Sequence, residues 1–559
     1  MKPSVKTLVA ITTLFSGFVF AQPNQIPTIQ FDAKQKYHEV SPLLFGANHK
    51  WVSNAAGSAD SITGLSYPNF VEQIKDVGIT MIRYPAGIFG NLFQWELAIG
   101  PQAKRGLQIS GLMTMPIPYK STFGPNEYGA LLDQTGAVGN LMINCATATA
   151  ADAANFVAYM TAASGSAKVN NVDWASRRAA DGHPAPYKIE YVEIGNEYDP
   201  SIQPLIDQNY WIRGEVVDEN YSNQAEKISH LYAFGGMTKF NNQPVVQQTD
   251  WRANTSISNG LANQIFYARY APVLEESDAI SVDGVVWKPV SKISRAKKNG
   301  LSYSLDHKTG KISFGDGKHG AIPKQGAKIT VSYVSGPHEG FVDFYKAIKA
   351  VNPRVKIISS IHNENFIRFM GSAYPYDGIQ QHPYVIANPK TNTAVDLNDF
   401  FIQTAIATIK LGAQVQHTQT VLKKYLGPKA GNIHLLLSEY GQLGVFPDYA
   451  PHFARSQGQA VLQAICMREW VLRKINAADR TVLTDYTFKP IPADLVAVQF
   501  SEAGTAGDFA IFGGPGPNTI ITPVGLAMKL MKDNLGQTLI GSTISNSPTV
   551  TSADRKSVV

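Results

Sequence analysis

The chain has 559 residues, of which 44% are hydrophobic and 16% are charged, and its formal net charge is +6 at pH 7. This length exceeds what one small core needs and predicts a large domain with accessory modules. The net charge is small for the length, which argues against the classes of protein that depend on strong charge, namely nucleic-acid-binding proteins and proteins of the membrane surface.

The first residues have the pattern of a secretory signal peptide. Lys2 and Lys6 precede an apolar stretch from Leu8 to Phe20, and small residues lead up to Ala21. The stretch is shorter than the roughly 20 apolar residues of a membrane-spanning helix. We therefore expect residues 1–21 to be removed and the mature protein to be secreted, periplasmic or extracellular, with no membrane partner.

From about residue 41 onward, apolar strand-like runs alternate with amphipathic helical stretches, which predicts a parallel sheet. Eight such units favour a (β/α)₈ TIM barrel over residues 41–274 and 337–535. An eighth strand is expected between Thr481 and Phe512, where Leu495–Phe500 and Phe509–Phe512 remain alternatives. The other seven predicted strands are Leu43 to Gly46, Met81 to Tyr84, Leu141 to Asn144, Ile189 to Ile194, Val355 to Ser359, Gly378 to Gln381 and Ile433 to Leu437.

One internal segment, residues 275–336, changes to short alternating strands separated by turn residues. This pattern predicts a small all-β module inserted in the barrel after the fourth strand. Its stretch Phe314–Gly320 resembles a β-domain repeat that is common in bacteriophage tail and baseplate proteins. The segment is rich in Lys and Arg, a feature typical of an ordinary solvated face and, as an alternative, of a surface for an acidic glycan.

The two ends of the mature chain are also β-like. Residues 22–40 contain the run Thr28–Phe31, and residues 536–559 contain Leu539–Ile544. We expect both to belong to one accessory β-sandwich. The last six residues match a translated cloning adapter, so the sandwich is expected to be incomplete at its C-terminal end.

Two glutamates stand where strand-like runs end. Glu197 closes Gly195-Asn196-Glu197 after the fourth predicted strand, and Glu439 follows Ser438 after the seventh. The carboxyl ends of barrel strands are where such folds carry their chemistry. Two carboxylates brought together there are the equipment for glycosidic bond cleavage. Glu193 shares the parity of Glu197 but lies deeper, so we expect it to be a buried hydrogen-bonding partner.

An Asn-Glu pair after strand four with a Glu after strand seven resembles the clan A glycoside hydrolases, and the chain is most similar to glycoside hydrolase family 51. The resemblance is carried by Ile82–Gly87, Trp95, Ile99–Pro101, Glu193–Glu197, His382–Tyr384 and Ser438–Glu439. It implies that Glu197 is the general acid/base and Glu439 the nucleophile of a retaining mechanism. It also implies that Asn196 orients the substrate and that Arg83, His382 and Tyr384 line the site.

The substrate expected from the sequence is a cell-wall polysaccharide or oligosaccharide. Arabinofuranosidases of family 51 carry a Glu soon after strand one and an Asn in the strand-two loop, whereas this chain has Phe45–Trp51 and, at the Asn position, Ile88. Trp51 and Trp95 are candidate platforms for a glycan chain. We therefore prefer an endo-β-glycanase acting on β-1,4-glucan or xylan, with an exo-acting α-L-arabinofuranosidase as the alternative.

A further alternative from another class is a catalytically inactive carbohydrate-binding protein, although both carboxylates are retained. No cofactor is expected. The sequence has no His-Glu-x-x-His metal motif, and Gly513–Gly516 lacks the strand-turn-helix context and the Lys-Ser/Thr ending of a phosphate-binding loop.

Overall fold

The computed structural model describes residues 28–110, 117–198, 210–217, 221–247, 256–387, 393–444, 453, 456–484, 510–513 and 516–545. The chain divides into two compact units. The larger unit spans residues 41–535. The smaller unit is formed from residues at the two ends of the chain.

The larger unit is built on eight parallel strands that close into a barrel. Each strand pairs with the strands before and after it in the chain, including the sixth with the seventh. The pairing of the first strand with the eighth completes the ring. The prediction of a (β/α)₈ barrel is therefore confirmed. The strands are β1 (Gly46–Asn48), β2 (Met81–Tyr84), β3 (Val138–Ile143), β4 (Ile189–Ile194), β5 (Lys356–Ser359), β6 (Gly378–Gln380), β7 (His434–Gly444) and β8 (Ala477–Arg480).

The position of the eighth strand was predicted wrongly. It lies at Ala477–Arg480, before the expected interval, and all four of its residues are buried. Its sequence, Ala-Ala-Asp-Arg, has no run of large apolar residues and therefore gives no strand signal. Phe512, at the end of one expected segment, pairs with Ile521 in a two-residue ladder and forms an isolated parallel bridge with Thr484. The other expected segment, Leu495–Phe500, lies outside the described residues.

Helices cover the barrel strands. The first long one, Pro68–Val77, starts with a proline that needs no hydrogen-bonded N–H, and it ends at Gly78, whose φ of 78° suits a residue without a Cβ. It buries one face, which includes Phe70 and Ile74. The described α-helices of seven or more residues are Pro68–Val77, Pro125–Thr135, Ala150–Thr161, Trp174–Ala180, Gln224–Phe234, Phe341–Val351, Glu364–Met370, Leu397–Leu426, Gln457–Leu472 and Pro523–Asn534.

Two small sheets occupy the connection between β4 and β5. One has five strands, Glu215–Val216, Gly236–Pro244, Ala279–Val282, Val285–Val286 and Ile329–His338, and the other has four, Ile265–Tyr267, Lys288–Pro289, Ser302–Asp306 and Lys311–Phe314. This β structure begins well before residue 275, the predicted boundary, because Gly236–Pro244 pairs antiparallel with Ile329–His338. The earlier strand is rich in polar residues and lacks clear alternation, so the sequence gives no sign of it.

The smaller unit contains one described pair of strands. Thr28–Glu39 runs antiparallel to Thr538–Ser545, with Thr28 opposite Ser545 and Glu39 opposite Thr538. The pairing joins the two segments that the sequence assigned to a sandwich, and the complete sandwich stays a prediction. Among the described residues, no helix is both long and apolar enough to cross a bilayer.

Replacing Leu436 by alanine is expected to destabilise the barrel by about 2 to 5 kcal/mol. Leu436 lies in a core cluster whose residues come from five strands, and shortening its side chain leaves a cavity there. The other buried members of that cluster are Met81, Tyr191, Ile358 and Ala477. Urea unfolding followed by circular dichroism measures the effect. The matched control is Leu526→Ala on an exposed helix position, which should leave the unfolding midpoint in place; equal losses in the two variants would contradict this assignment of the core.

Candidate active site

The two glutamates lie just beyond or within barrel strands. Glu197 follows β4 by three residues. Glu439 lies within β7 at an irregularity, where the pairing of β7 with β8 shifts between Leu437 and Tyr440. Such irregularities change the direction in which side chains point and are common beside active sites.

The turn that carries Glu197 is tight. Gly195 has φ 82°, and a Cβ there would lie 2.8 Å from the sulfur of Cys145. Glu197 itself adopts a left-handed φ of 54°, a conformation that costs a residue with a side chain about 1 to 2 kcal/mol. The side chain of Asn91 holds the turn: its Oδ1 accepts from the Asn196 N–H at 3.1 Å, and its Nδ2 donates to the Asn196 carbonyl at 3.2 Å. The strain is therefore balanced by specific hydrogen bonds.

The side chains of Glu197 and Glu439 approach each other closely. One oxygen of each, together with a ring nitrogen of His382, forms a group in which all atoms lie within 4.8 Å of one another. His382 Nδ1 is 2.8 Å from Glu197 Oε1 and 3.9 Å from Glu439 Oε2. Retaining glycosidases need their two carboxyl groups about 5 to 5.5 Å apart, whereas inverting enzymes need a wider gap for water. The spacing seen here is that of the retaining class.

Arg83 on β2 connects the site to the strands beneath it. Its side chain is fully buried. Its Nη1 donates to Glu439 Oε1 at 2.9 Å, its Nε to Glu193 Oε2 at 2.5 Å and its Nη2 to Asn196 Oδ1 at 2.8 Å. A planar guanidinium with several fixed donors is suited to this arrangement, since it orients both carboxylates and the amide at once.

The surroundings of Glu439 favour its ionised form. Burial acts against the charge, but the neighbouring His382, the Arg83 guanidinium and the hydrogen bonds from Tyr384 and Arg83 outweigh it, so the pKa of Glu439 is lowered. Tyr384 donates to Glu439 Oε2 at 2.7 Å. Burial, followed by the nearby charge of Glu439, raises the pKa of Tyr384 well above its ordinary value. Tyr384 therefore stays a hydrogen-bond donor to the Glu439 carboxylate.

Glu193 is a buried hydrogen-bonding partner, as its position in the strand predicts. Besides Arg83 it accepts from Asn140 Nδ2 at 2.9 Å. The same amide donates to Asp479 Oδ2 on β8 at 3.1 Å. Burial and then the charge of Glu193 raise the pKa of Asp479 well above its ordinary value, which favours the neutral acid. The Arg83 guanidinium thus lies between the carboxylates of Glu193 and Glu439.

The structure brings six of the predicted site residues together and places the other two in packed surroundings. Glu197, Glu439, Asn196, Arg83, His382 and Tyr384 form one connected set of contacts. Trp51 is buried and donates its indole N–H to the Phe89 carbonyl at 2.8 Å. Trp95 is buried and stacks on Phe156. Burial of both rings gives no support to the expectation that they act as open platforms for a glycan.

Three residues with structural roles at the site were not among the site residues predicted from the sequence. Asn91 holds the Asn196 backbone, Ser438 contacts His382 Nε2 at 3.0 Å, and Gln380 contacts Ser438. The position of Ser438 directly before Glu439 was a usable signal. Asn91 and Gln380 had none, because their partners are more than 50 residues away in the sequence.

Glu197, His382 and Glu439 are the described residues with donor atoms close enough to hold a metal ion. The chemistry of the group argues against that role. The Arg83 guanidinium already neutralises Glu439 at 2.9 Å and would repel a cation there. The His382 ring nitrogens contact Glu197 and Ser438. The set is better suited to moving a proton than to binding a metal.

Comparison with known proteins gives this geometry a context. A family model described as "Alpha-L-arabinofuranosidase 1 domain" matches residues 73–250. The chain is 26% identical over 160 residues to an "Intracellular exo-alpha-(1->5)-L-arabinofuranosidase" of Bifidobacterium longum, covering 29% of this chain and 25% of the relative. A protein of the same name from Halalkalibacterium halodurans is 26% identical over 213 residues, covering 36% and 39%.

Among solved structures, a GH51 arabinofuranosidase from Xanthomonas axonopodis pv. citri superposes with a TM-score of 0.58 at 15% identity, covering 95% of this chain and 80% of that one. The chain is most like glycoside hydrolase family 51. The sequence matches span only about a quarter to two fifths of the two curated relatives. At this identity the structural match to family 51 shows the fold.

The likeness of Phe314–Gly320 to phage tail repeats stays a prediction.

Removing the Tyr384 hydroxyl is expected to raise the pKa of Glu439, because that hydroxyl stabilises the carboxylate. We expect hydrolysis to need Glu439 in its ionised form, so the acid limb of the kcat/KM profile of Tyr384→Phe should move to higher pH, by about one unit or less. The profile measured with an aryl glycoside checks this. Tyr345→Phe removes a hydroxyl that contacts Asp377 instead and serves as the control. An unshifted acid limb in Tyr384→Phe would contradict the electrostatic role given to Tyr384.

Proposed function

We propose that the protein is a retaining, exo-acting α-L-arabinofuranosidase that releases terminal arabinofuranose from polysaccharides or oligosaccharides. The observation that carries the proposal is the buried pair Glu197 and Glu439. One carboxylate oxygen of each lies within 4.8 Å of the other, and the surroundings of Glu439 favour its ionised form. The family model over residues 73–250 and the names of the relatives support the choice of sugar.

In the proposed reaction the two glutamates act in two displacement steps. Glu439 attacks the anomeric carbon while Glu197 gives its proton to the leaving glycosidic oxygen, so that a glycosyl ester forms on Glu439. Glu197, now a carboxylate, takes a proton from water as that water attacks the same carbon. The ester breaks, Glu439 leaves as a carboxylate, and Glu197 regains its proton.

Asn196 is the residue best placed to hold a sugar hydroxyl. Its Oδ1 accepts from Arg83, which fixes the orientation of the amide. Its Nδ2 is buried and has no hydrogen-bond partner among the described residues. A buried donor without a partner is costly unless a ligand supplies one. A hydroxyl beside the scissile bond supplies that partner.

The comparisons favour the arabinofuranosidase over the endo-β-glycanase that we preferred from the sequence. The names of both curated relatives specify exo action on arabinofuranosides. Family 51 arabinofuranosidases carry an asparagine in the loop after β2, where this chain has Ile88. Asn91, three residues further on, is a counterpart, because it contacts the turn that carries Glu197. Export from the cell remains part of the proposal and is supported by the N-terminal residue pattern, whereas the relatives are named as intracellular.

The proposed sugar and mode of attack are tested by assaying 4-nitrophenyl α-L-arabinofuranoside, arabinan, xylan and β-glucan and measuring product lengths. Free arabinose as the first product supports the proposal. Oligosaccharides from xylan or β-glucan would replace it with the endo reading, and binding without hydrolysis would favour an inactive carbohydrate-binding protein.

The roles of the two glutamates are tested by azide rescue. Glu197→Ala and Glu439→Ala should each lose several orders of magnitude in kcat, since both groups act in the transition state. Azide added to Glu197→Ala should give a glycosyl azide of retained configuration, because the ester on Glu439 still forms. Azide added to Glu439→Ala should give the inverted product. The same product configuration from both variants would contradict the assignment, and Glu364→Ala, at an exposed helix position, is the control.

A further inference from the structure

A chain of hydrogen bonds runs from the buried carboxylate of Glu193 to the acid/base Glu197. Its members are Gln380 at the end of β6, Ser438 on β7 and His382 in the loop after β6. Gln380 and Ser438 are buried. Each hydrogen bond in such a chain has one donor and one acceptor. Assigning donor and acceptor at one end therefore assigns them along the chain to the other end.

The direction starts at Glu193. Its two carboxylate oxygens accept hydrogen bonds from Arg83 Nε and Asn140 Nδ2, so Glu193 is the accepting end of the chain. The amide group of Gln380 lies 2.7 Å from Glu193 Oε2 and 2.7 Å from Ser438 Oγ. Two acceptor oxygens at the first distance would repel each other, so Gln380 presents its NH₂ group. One amide hydrogen then goes to Glu193 and the other to Ser438.

The direction continues through Ser438. Its oxygen accepts from Gln380, which leaves its own hydrogen for His382 Nε2 at 3.0 Å. A ring nitrogen that accepts a hydrogen bond carries no hydrogen, so the neutral ring has its hydrogen on Nδ1. Nδ1 lies 2.8 Å from Glu197 Oε1 and is therefore the donor of that contact.

We propose that Gln380 and Ser438 are positioning residues that fix His382 as the neutral Nδ1–H tautomer and thereby assign separate tasks to the two oxygens of Glu197. Oε1 accepts from His382 throughout the reaction. The proton that Glu197 transfers is therefore carried on Oε2. This inference rests on the proposed function for its catalytic meaning, whereas the tautomer itself is a property of the free protein.

The charged groups around His382 make the tautomer consequential. Glu197 and Glu439 face its Nδ1 side from β4 and β7, and His362 lines the same pocket from the loop after β5. Adding a proton to Nε2 would remove the acceptor of the Ser438 O–H. A neutral ring also avoids placing a full positive charge beside the acid/base.

The direct test is ¹⁵N NMR of histidine-labelled full-length protein, with the His382 signals assigned by their loss in His382→Asn. We expect a protonated Nδ1 and a bare Nε2 across the pH range of activity. An Nε2–H tautomer or an imidazolium in the parent protein would overturn the proposal. This measurement uses no substrate, so its outcome is independent of whether the protein proves to be an arabinofuranosidase.

A second test reverses the hydrogen-bond direction at Ser438. Ser438→Asp replaces the donor with an acceptor, which should give a doubly protonated His382 and move the basic limb of the kcat/KM profile to lower pH by about one unit. Ser438→Thr keeps the hydroxyl and should keep the parent profile. If Ser438→Asp lost activity with an unshifted basic limb and an unchanged ¹⁵N pattern, Ser438 would be a packing residue and the proposal would fail.

Discussion

The site depends on one buried guanidinium. Arg83 comes from β2 and donates to side chains on β1, β4 and β7 and to Asn196 in the turn after β4, so a single planar group links at least four strands of the barrel. Removing a buried charge of this kind leaves its partners unpaired and costs far more than the pair contributes to stability. The same contact lowers the pKa of Glu439 and orients Asn196. The fold and the electrostatics of the site therefore rest on the same atoms.

The two glutamates are chemically distinct because their partners differ. Glu439 receives a full positive charge from Arg83 and a hydroxyl from Tyr384. Glu197 contacts His382, and the hydrogen bonds through Ser438 favour a neutral ring there. A charged donor on one carboxyl and a neutral donor on the other suits the separate roles that the proposed reaction gives to the two glutamates.

Much of this was predictable because the chemistry lies at strand ends that the sequence marks clearly. β2 and β4 were predicted with their observed bounds, and Glu197 and Glu439 follow directly from the resulting frame. The misses share a physical cause. β8 is held by pairing with its neighbours and not by a run of apolar residues, and Trp51 is buried by packing that a motif cannot reveal. Gln380 matters through partners that only the closed barrel brings near.

The long β insertion between β4 and β5 leaves these two strands paired, and Tyr232 shows how. Its hydroxyl donates to the Ile194 carbonyl at the end of β4 and accepts from the Ser360 N–H just after β5. Tyr232 lies on the helix Gln224–Phe234, ahead of most of the inserted strands, and is buried. The entry to the Glu197 turn is thus fixed on the barrel side of the insertion. The anchor joins a helix residue to two residues at the ends of β4 and β5, and it uses no residue of the inserted sheets.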